Sequence, residues 1–282
     1  MKQQESDVLP NASTEVTFPT SNAVSGVVGF ISKTIVIAEL EVRKLRHDPT
    51  ELLMRAVQPA LWLLVFGEVF TRMRVIPTGE TPYIDFLAPG ILAQSSLFVA
   101  IFSGMSIIWE RDLGIVHKFL VSPAPRASLA LGKALSGGIR ALSQAVIVYA
   151  LALLLGVKMN WNPLALLAVL IVVVLAAAAF SAFSLIIALL VKTRERFMGI
   201  GQVLTMPLFF ASNAIYPISV MPAWLQVIAR ANPLTYQVDA LRTLMLEKGI
   251  GTYGLGLDFT VLLIATVLLV IVAAWLYPRA AT

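Results

Sequence analysis

The hydrophobic positions of this chain run together in long blocks instead of recurring on one face. Residues 86–109, 162–191 and 259–278 each lack Asp, Glu, Lys and Arg. Crossing a hydrocarbon core of roughly 30 Å takes about 20 helical residues, so every one of these runs is long enough. Within lipid a helix satisfies its own backbone hydrogen bonds, which an irregular segment cannot do. The pattern predicts an all-α integral membrane protein with six transmembrane helices, at about 51–71, 84–108, 127–156, 163–190, 197–217 and 257–277.

The segments around these blocks read differently. Residues 1–23 are polar and read as a flexible cytoplasmic tail, ahead of a single transmembrane domain over 24–282. Ile31, Ile35, Ala38, Val42 and Leu45 recur at helical spacing, but Glu39, Glu41, Arg43, Lys44 and Arg46 interrupt them. That is an amphipathic helix lying in the interface, over about 31–48, with Pro49 turning the chain into the bilayer. In the third span Lys133 and Arg140 precede the uncharged stretch 141–157, so its first turns project toward the cytoplasm and Arg140 snorkels. Residues 197–229 are uncharged but broken by Pro207, Pro217 and Pro222. One span of that length would overshoot the bilayer. The expectation is a helix ending near Pro217, then a shallow re-entrant element over 218–231 before the sixth span.

Basic residues set the orientation. With the N-terminus inside, Lys33, Arg43, Lys44, Arg46, Arg55, Arg111, Lys118, Arg126, Lys192, Arg194, Arg196 and Arg279 are cytoplasmic. The opposite side receives only Arg72, Arg74, Lys158, Arg230, Arg242 and Lys248. The bias places both termini in the cytoplasm of a multi-pass plasma-membrane protein. Composition agrees: 58% of residues are hydrophobic and 13% charged, where a soluble domain carries about a quarter charged. Without cysteine, disulfides and thiol chemistry are excluded. The net charge of +5 lies near membrane ends, with no basic patch interleaved with aromatics, so nucleic acid is not a partner.

Between spans two and three, Leu113, Val116 and Leu120 give a short segment one apolar face, and Pro123 and Pro125 end it. Glu110 and Asp112 precede it, where an N-terminal helix dipole favours anions. Such a helix rests on the membrane surface or docks a cytoplasmic partner. The charged Glu110-Arg111-Asp112 cluster, Gly114, the run Phe119-Leu120-Val121-Ser122-Pro123, then Arg126 and Gly132-Lys133 resemble the signature of ABC-2 type permeases. The stretch Asn232-Pro233-Leu234-Thr235-Tyr236-Gln237-Val238-Asp239-Ala240-Leu241-Arg242 resembles the segment before span six in the drug-resistance (daunorubicin-type) branch of that family. The resemblance covers the chain from about Ile31 to its end. It implies that Glu110, Arg111, Leu113, Val116, Phe119 and Leu120 form a coupling helix seated in a separate ABC ATPase subunit. It further implies a second permease copy or paralogue, and export of amphipathic drug-like or lipid-like compounds or of lipid-linked glycans. The chain has no phosphate-loop motif, because Gly132-Lys133 is followed by Ala134 and lacks the upstream Gly. No cofactor is expected on this chain; ATP and Mg belong to the partner ATPase.

Other residues have bland and sharp readings. Glu68, with Arg72 one turn on, reads as an interfacial i,i+4 pair, and Asp239 and Arg242 as a pair on the outer surface. His47 and His117 are lone histidines and make no metal site. Ser95, Ser96, 176–179 and Ser181 read as small residues for close helix approach. Gln94, Gln144 and Gln202 fit interhelical hydrogen bonding, and Trp224 an interface anchor or part of the re-entrant element. Phe209, Phe210, Asn213 and Tyr216 lie on adjacent turns before the broken region and are the candidate substrate pathway. An autonomous channel or ion-coupled carrier would need paired charges deep in spans, which the sequence lacks.

Overall fold

A computed structural model describes residues 49–73, 82–113, 126–191, 193–249 and 251–277. The interfacial helix over 31–48 lies outside them, as do Val116, Phe119 and Leu120 of the docking segment. The described residues are helical apart from short connections and one isolated bridge, Met159 to Leu246. Among the described residues, four helices are long and apolar enough to cross a bilayer: Tyr83–Asp112, Leu129–Leu154, Pro163–Leu190 and Leu255–Leu276.

The first rod is α1 (Pro49–Leu61), a π-helical turn (Trp62–Gly67) and α2 (Glu68–Met73). A π turn re-aims side chains relative to a regular helix. Here Trp62 stacks on Phe66 at 4.4 Å and meets the edge of Phe209 at 5.5 Å, tying the rod to a distant helix. Glu68 and Arg72 form the expected exposed pair at 2.8 Å. The second span is α3 (Tyr83–Ser103) continued past Gly104 by α4 (Met105–Asp112). Then come α5 (Arg126–Leu154), α6 (Pro163–Leu190) and α7 (Arg194–Phe210).

Helix α6 is the axis of the packing, touching α3, α5 and the last helix along its length. Its start follows from sequence: Asn162 accepts the Leu164 N–H at 3.0 Å and Pro163 occupies the first turn. Ala176, Ala177, Ala178 and Ala179 are buried, as small residues at a close helix interface should be. On α5, a Cβ added to Gly138 would lie 2.7 Å from the Val174 carbonyl oxygen. On the other side, Ser184 Oγ donates to the Ile101 carbonyl and Ser103 Oγ donates to Ser181 Oγ at 3.0 Å.

The fifth helix departs from expectation. It stops at Phe210, not near Pro217, because its last carbonyls are claimed by a residue far along the chain. Asn232 Nδ2 donates to Leu208 O at 2.7 Å and to Ala211 O at 2.9 Å, and Ser212 Oγ donates to Phe209 O at 2.7 Å. A 3₁₀ turn (Ile218–Val220) and α8 (Ala223–Ala231) follow, as the prolines foretell. A separate helix comes next, α9 (Pro233–Met245), capped by Asn232 and buried on nearly all sides against α3, α6 and α10 (Leu255–Leu276).

This corrects the surface pair. Asp239 and Arg242 are both buried. Asp239 accepts the backbone N–H groups of Thr252 and Tyr253, each at 2.8 Å. Arg242 donates to the Asn213 carbonyl at 2.8 Å, with its guanidinium 3.8 Å above the Phe86 ring. Gln237 Nε2 donates to Ser96 Oγ at 2.8 Å, so α9 is pinned to α3 as well.

Candidate functional site

Two arrangements at opposite ends of α7 bear on function. The first surrounds the last turn of α4, from which the chain leads into 114–125. Glu110 and Asp112, which precede the expected docking segment, sit in the last turn of α4, where a helix dipole disfavours anions. The structure supplies the counter-charges. Glu110 pairs with Lys133 of α5 where both side chains are three-quarters buried. Asp112 accepts from Arg194 of α7 through Nη2 at 2.6 Å and Nε at 3.1 Å. Arg194 also lies 5.6 Å from the Trp109 ring centroid. Arg111 Nη1 donates to Val191 O, the carbonyl that ends α6, at 3.2 Å. Three consecutive charged residues therefore hold α5, α6 and α7, one each.

Leu113 follows this clasp and is 73% exposed. Nothing in the spacing of the chain links Asp112 with Arg194. The usable signal was charge of opposite sign at two helix ends flanking apolar spans.

The Asp112–Arg194 pair is half exposed, so it stabilises the fold little. A double-mutant cycle of Asp112→Ala and Arg194→Ala is expected to give a coupling below about 1 kcal/mol in thermal unfolding. A coupling several times larger would show the clasp to be a folding element and not a positioning one.

The second arrangement is an open apolar groove of about 570 Å³ at the other end of α7, between that helix and α8. Phe210 and Tyr216 line it, with Leu204, Trp224, Leu225 and Ile228. Phe209 and Asn213, expected beside them, do not. Phe209 is fully buried against Trp62, and Asn213 is buried with its amide nitrogen and oxygen lacking partners among the described residues. The helix ends between these residues, so the face that a continuous helix would have formed is divided. Tyr216 Oη donates to Phe210 O at 2.6 Å, which fixes the ring at the groove wall. Trp224 of α8, 66% exposed, forms the facing wall and joins the groove residues.

Comparison with known proteins matches these features to a family. Residues 32–246 match the ABC-2 type transporter family. A putative transport permease, ycf38, of Cyanophora paradoxa is 30% identical over 76% of this chain and 74% of its own length. The daunorubicin resistance ABC transporter permease protein DrrB1 of Streptomyces coeruleorubidus is 25% identical over 76% of this chain and 75% of its own length. The probable doxorubicin resistance ABC transporter permease protein DrrC of Mycobacterium tuberculosis is 23% identical, over 76% of each chain. Apolar spans, the family match over three-quarters of the chain and the likeness to drug-resistance permeases agree: this chain belongs to the ABC-2 type transporter family, the membrane-spanning permease subunits whose ATPase is a separate protein.

Proposed function

We propose that this permease, driven by separate ABC ATPase subunits, exports amphipathic drug-like or lipid-like compounds across the plasma membrane. The apolar groove with Phe210 and Tyr216 on its wall carries the reading. A surface of that size lined by aromatic and aliphatic side chains suits an amphipathic molecule and not an ion. A lipid-linked glycan, the alternative cargo, would need free polar groups for its sugars, and the groove walls offer almost none. In this reading the chain makes six spans, with the π-turn rod and α7 as the first and fifth, and α8 and α9 as re-entrant elements on the outer side. The coupling segment from Glu110 to Leu120 docks on the ATPase, which holds ATP and Mg. A second permease copy completes the pathway.

The test is substrate-stimulated ATP hydrolysis by the assembled transporter. Phe210→Ala and Tyr216→Ala should raise the half-maximal substrate concentration roughly tenfold while assembly stays intact. Leu113→Asp should instead weaken co-purification of the ATPase, since it puts a charge on an apolar contact. Unchanged stimulation in both groove variants would remove the groove from the pathway. Normal assembly of Leu113→Asp would remove Leu113 from the docking surface.

A further inference from the structure

The clasp around the last turn of α4 leaves one atom unused. Glu110 gives Oε1 to Lys133 of α5, while its Oε2 is buried and has no hydrogen-bond partner among the described residues. A second orphan lies close by. Tyr277, which follows the last residue of α10, is fully buried, and its hydroxyl also lacks a partner among the described residues. The charge of Glu110 acts on that hydroxyl. One of the two groups is an acceptor and the other can donate.

Packing accounts for the ring of Tyr277, which belongs to a hydrophobic cluster with Ile107 and Ile108 of α4 and Ala130 and Ala134 of α5. It does not account for the hydroxyl. Burying a hydroxyl without a hydrogen bond is costly, and phenylalanine would fill the same space without that cost. The place of the pair in the fold supplies a use. Helix α4 has eight residues, is set off from α3 at Gly104 and ends where the docking segment begins. A break between two rigid elements is where a chain absorbs a change of direction. A load on the docking segment therefore reaches Glu110 before it reaches the span.

We propose that Tyr277 is a positioning residue for the ATPase: when that subunit docks, the last turn of α4 shifts and Tyr277 Oη donates to Glu110 Oε2, tying the end of the last span to the docking segment. This rests on the coupling segment docking on the ATPase. The bond is absent from the free permease and made in the complex, so its contribution is felt as affinity for the ATPase and not as stability of the permease.

The parent permease and its Tyr277→Phe variant are titrated in detergent against the ABC ATPase subunit that co-purifies with the parent. Tyr277→Phe should weaken ATPase binding about tenfold, the factor for a hydrogen bond to a charged group made only in the complex. In the free permease the same variant should leave the melting point unchanged or raise it, because the hydroxyl it removes has no partner there. A purely structural hydroxyl would do the reverse, lowering the melting point and leaving the affinity alone. The route through Glu110 is checked in a background carrying Glu110→Ala and Lys133→Ala, which removes the acceptor without stranding its cation. There, Tyr277→Phe should have no effect on the affinity. Unchanged ATPase binding in Tyr277→Phe overturns the proposal, as does a lower melting point of the free variant or a tenfold loss that persists in the double-alanine background. Leu113→Asp is scored separately: its normal assembly counts against the docking surface alone, and normal binding of Tyr277→Phe counts against this proposal alone.

Discussion

Replacing Asp239 with alanine is expected to destabilise the folded protein by about 3–5 kcal/mol. Its buried carboxylate accepts two partly buried backbone N–H groups, Thr252 and Tyr253, each at 2.8 Å. A hydrogen bond to a charged group contributes about 1.5–3 kcal/mol, and removing the acceptor leaves both donors unsatisfied. These two bonds hold the chain between α9 and α10, where Gly251 lies so close that an added Cβ would sit 2.9 Å from Asp239 Oδ2. Asp239→Asn should be nearly as damaging, because one of its two terminal atoms becomes a donor facing a donor. Thermal unfolding of the detergent-purified protein measures the loss. A melting point unchanged in Asp239→Asn would mean that the two contacts do not hold the loop.

Gly138→Val is expected to be strongly disruptive at the α5–α6 interface. The added Cβ would lie 2.7 Å from Val174 O, a backbone atom that cannot rotate away. Overpacking of this kind costs about 1–3 kcal/mol, occasionally more. Here it would also wedge α5 from the axis helix. The comparison within one helix is Gly132→Ala, where nothing among the described residues lies within 4 Å of the new Cβ. That change should be neutral or stabilise by about 0.5–1 kcal/mol, since glycine is a poor helix former. The two variants should therefore shift the unfolding midpoint in opposite directions. A Gly138→Val protein that melts with the parent would mean that the helices do not approach as closely as described.

The sequence disclosed features whose causes are local. Helix α6 spans Pro163–Leu190 as expected, because an uncharged run begins at an Asn-Pro cap and ends before a charged cluster. The last span starts at Leu255, close to the expected 257, for similar reasons. Small residues at 176–179 pack where their size indicates. What the sequence concealed depends on distant partners. Helix α7 ends where Asn232 claims its carbonyls, and no residue near 210 announces that. Asp239 and Arg242 have the spacing of a surface pair, yet each finds its partner elsewhere, at Thr252 and Tyr253 or at Asn213 and Phe86. Of the four candidate pathway residues, the early stop of α7 leaves Phe210 and Tyr216 at the groove and turns Phe209 and Asn213 inward.

The amide of Asn232 has a mechanical consequence. It closes the carbonyl end of α7 and opens the amide end of α9, a task that needs donors and an acceptor on one short side chain. The two helix ends are thereby riveted together although residues 211–231 lie between them. Part of that intervening stretch is anchored too, by Arg242 on Asn213 O, Tyr83 on Ile215 O at 2.9 Å and Tyr236 on Arg230 O at 2.7 Å. Apart from that tie on its last turn, α8 packs through Ala229 on Ile218 and Met221, a small satellite cluster apart from the main core. Elements with few buried contacts open at the lowest free energy. The frame thus works as a fixed jamb and α8 as its leaf: one wall of the groove can swing while the spans stay where they are.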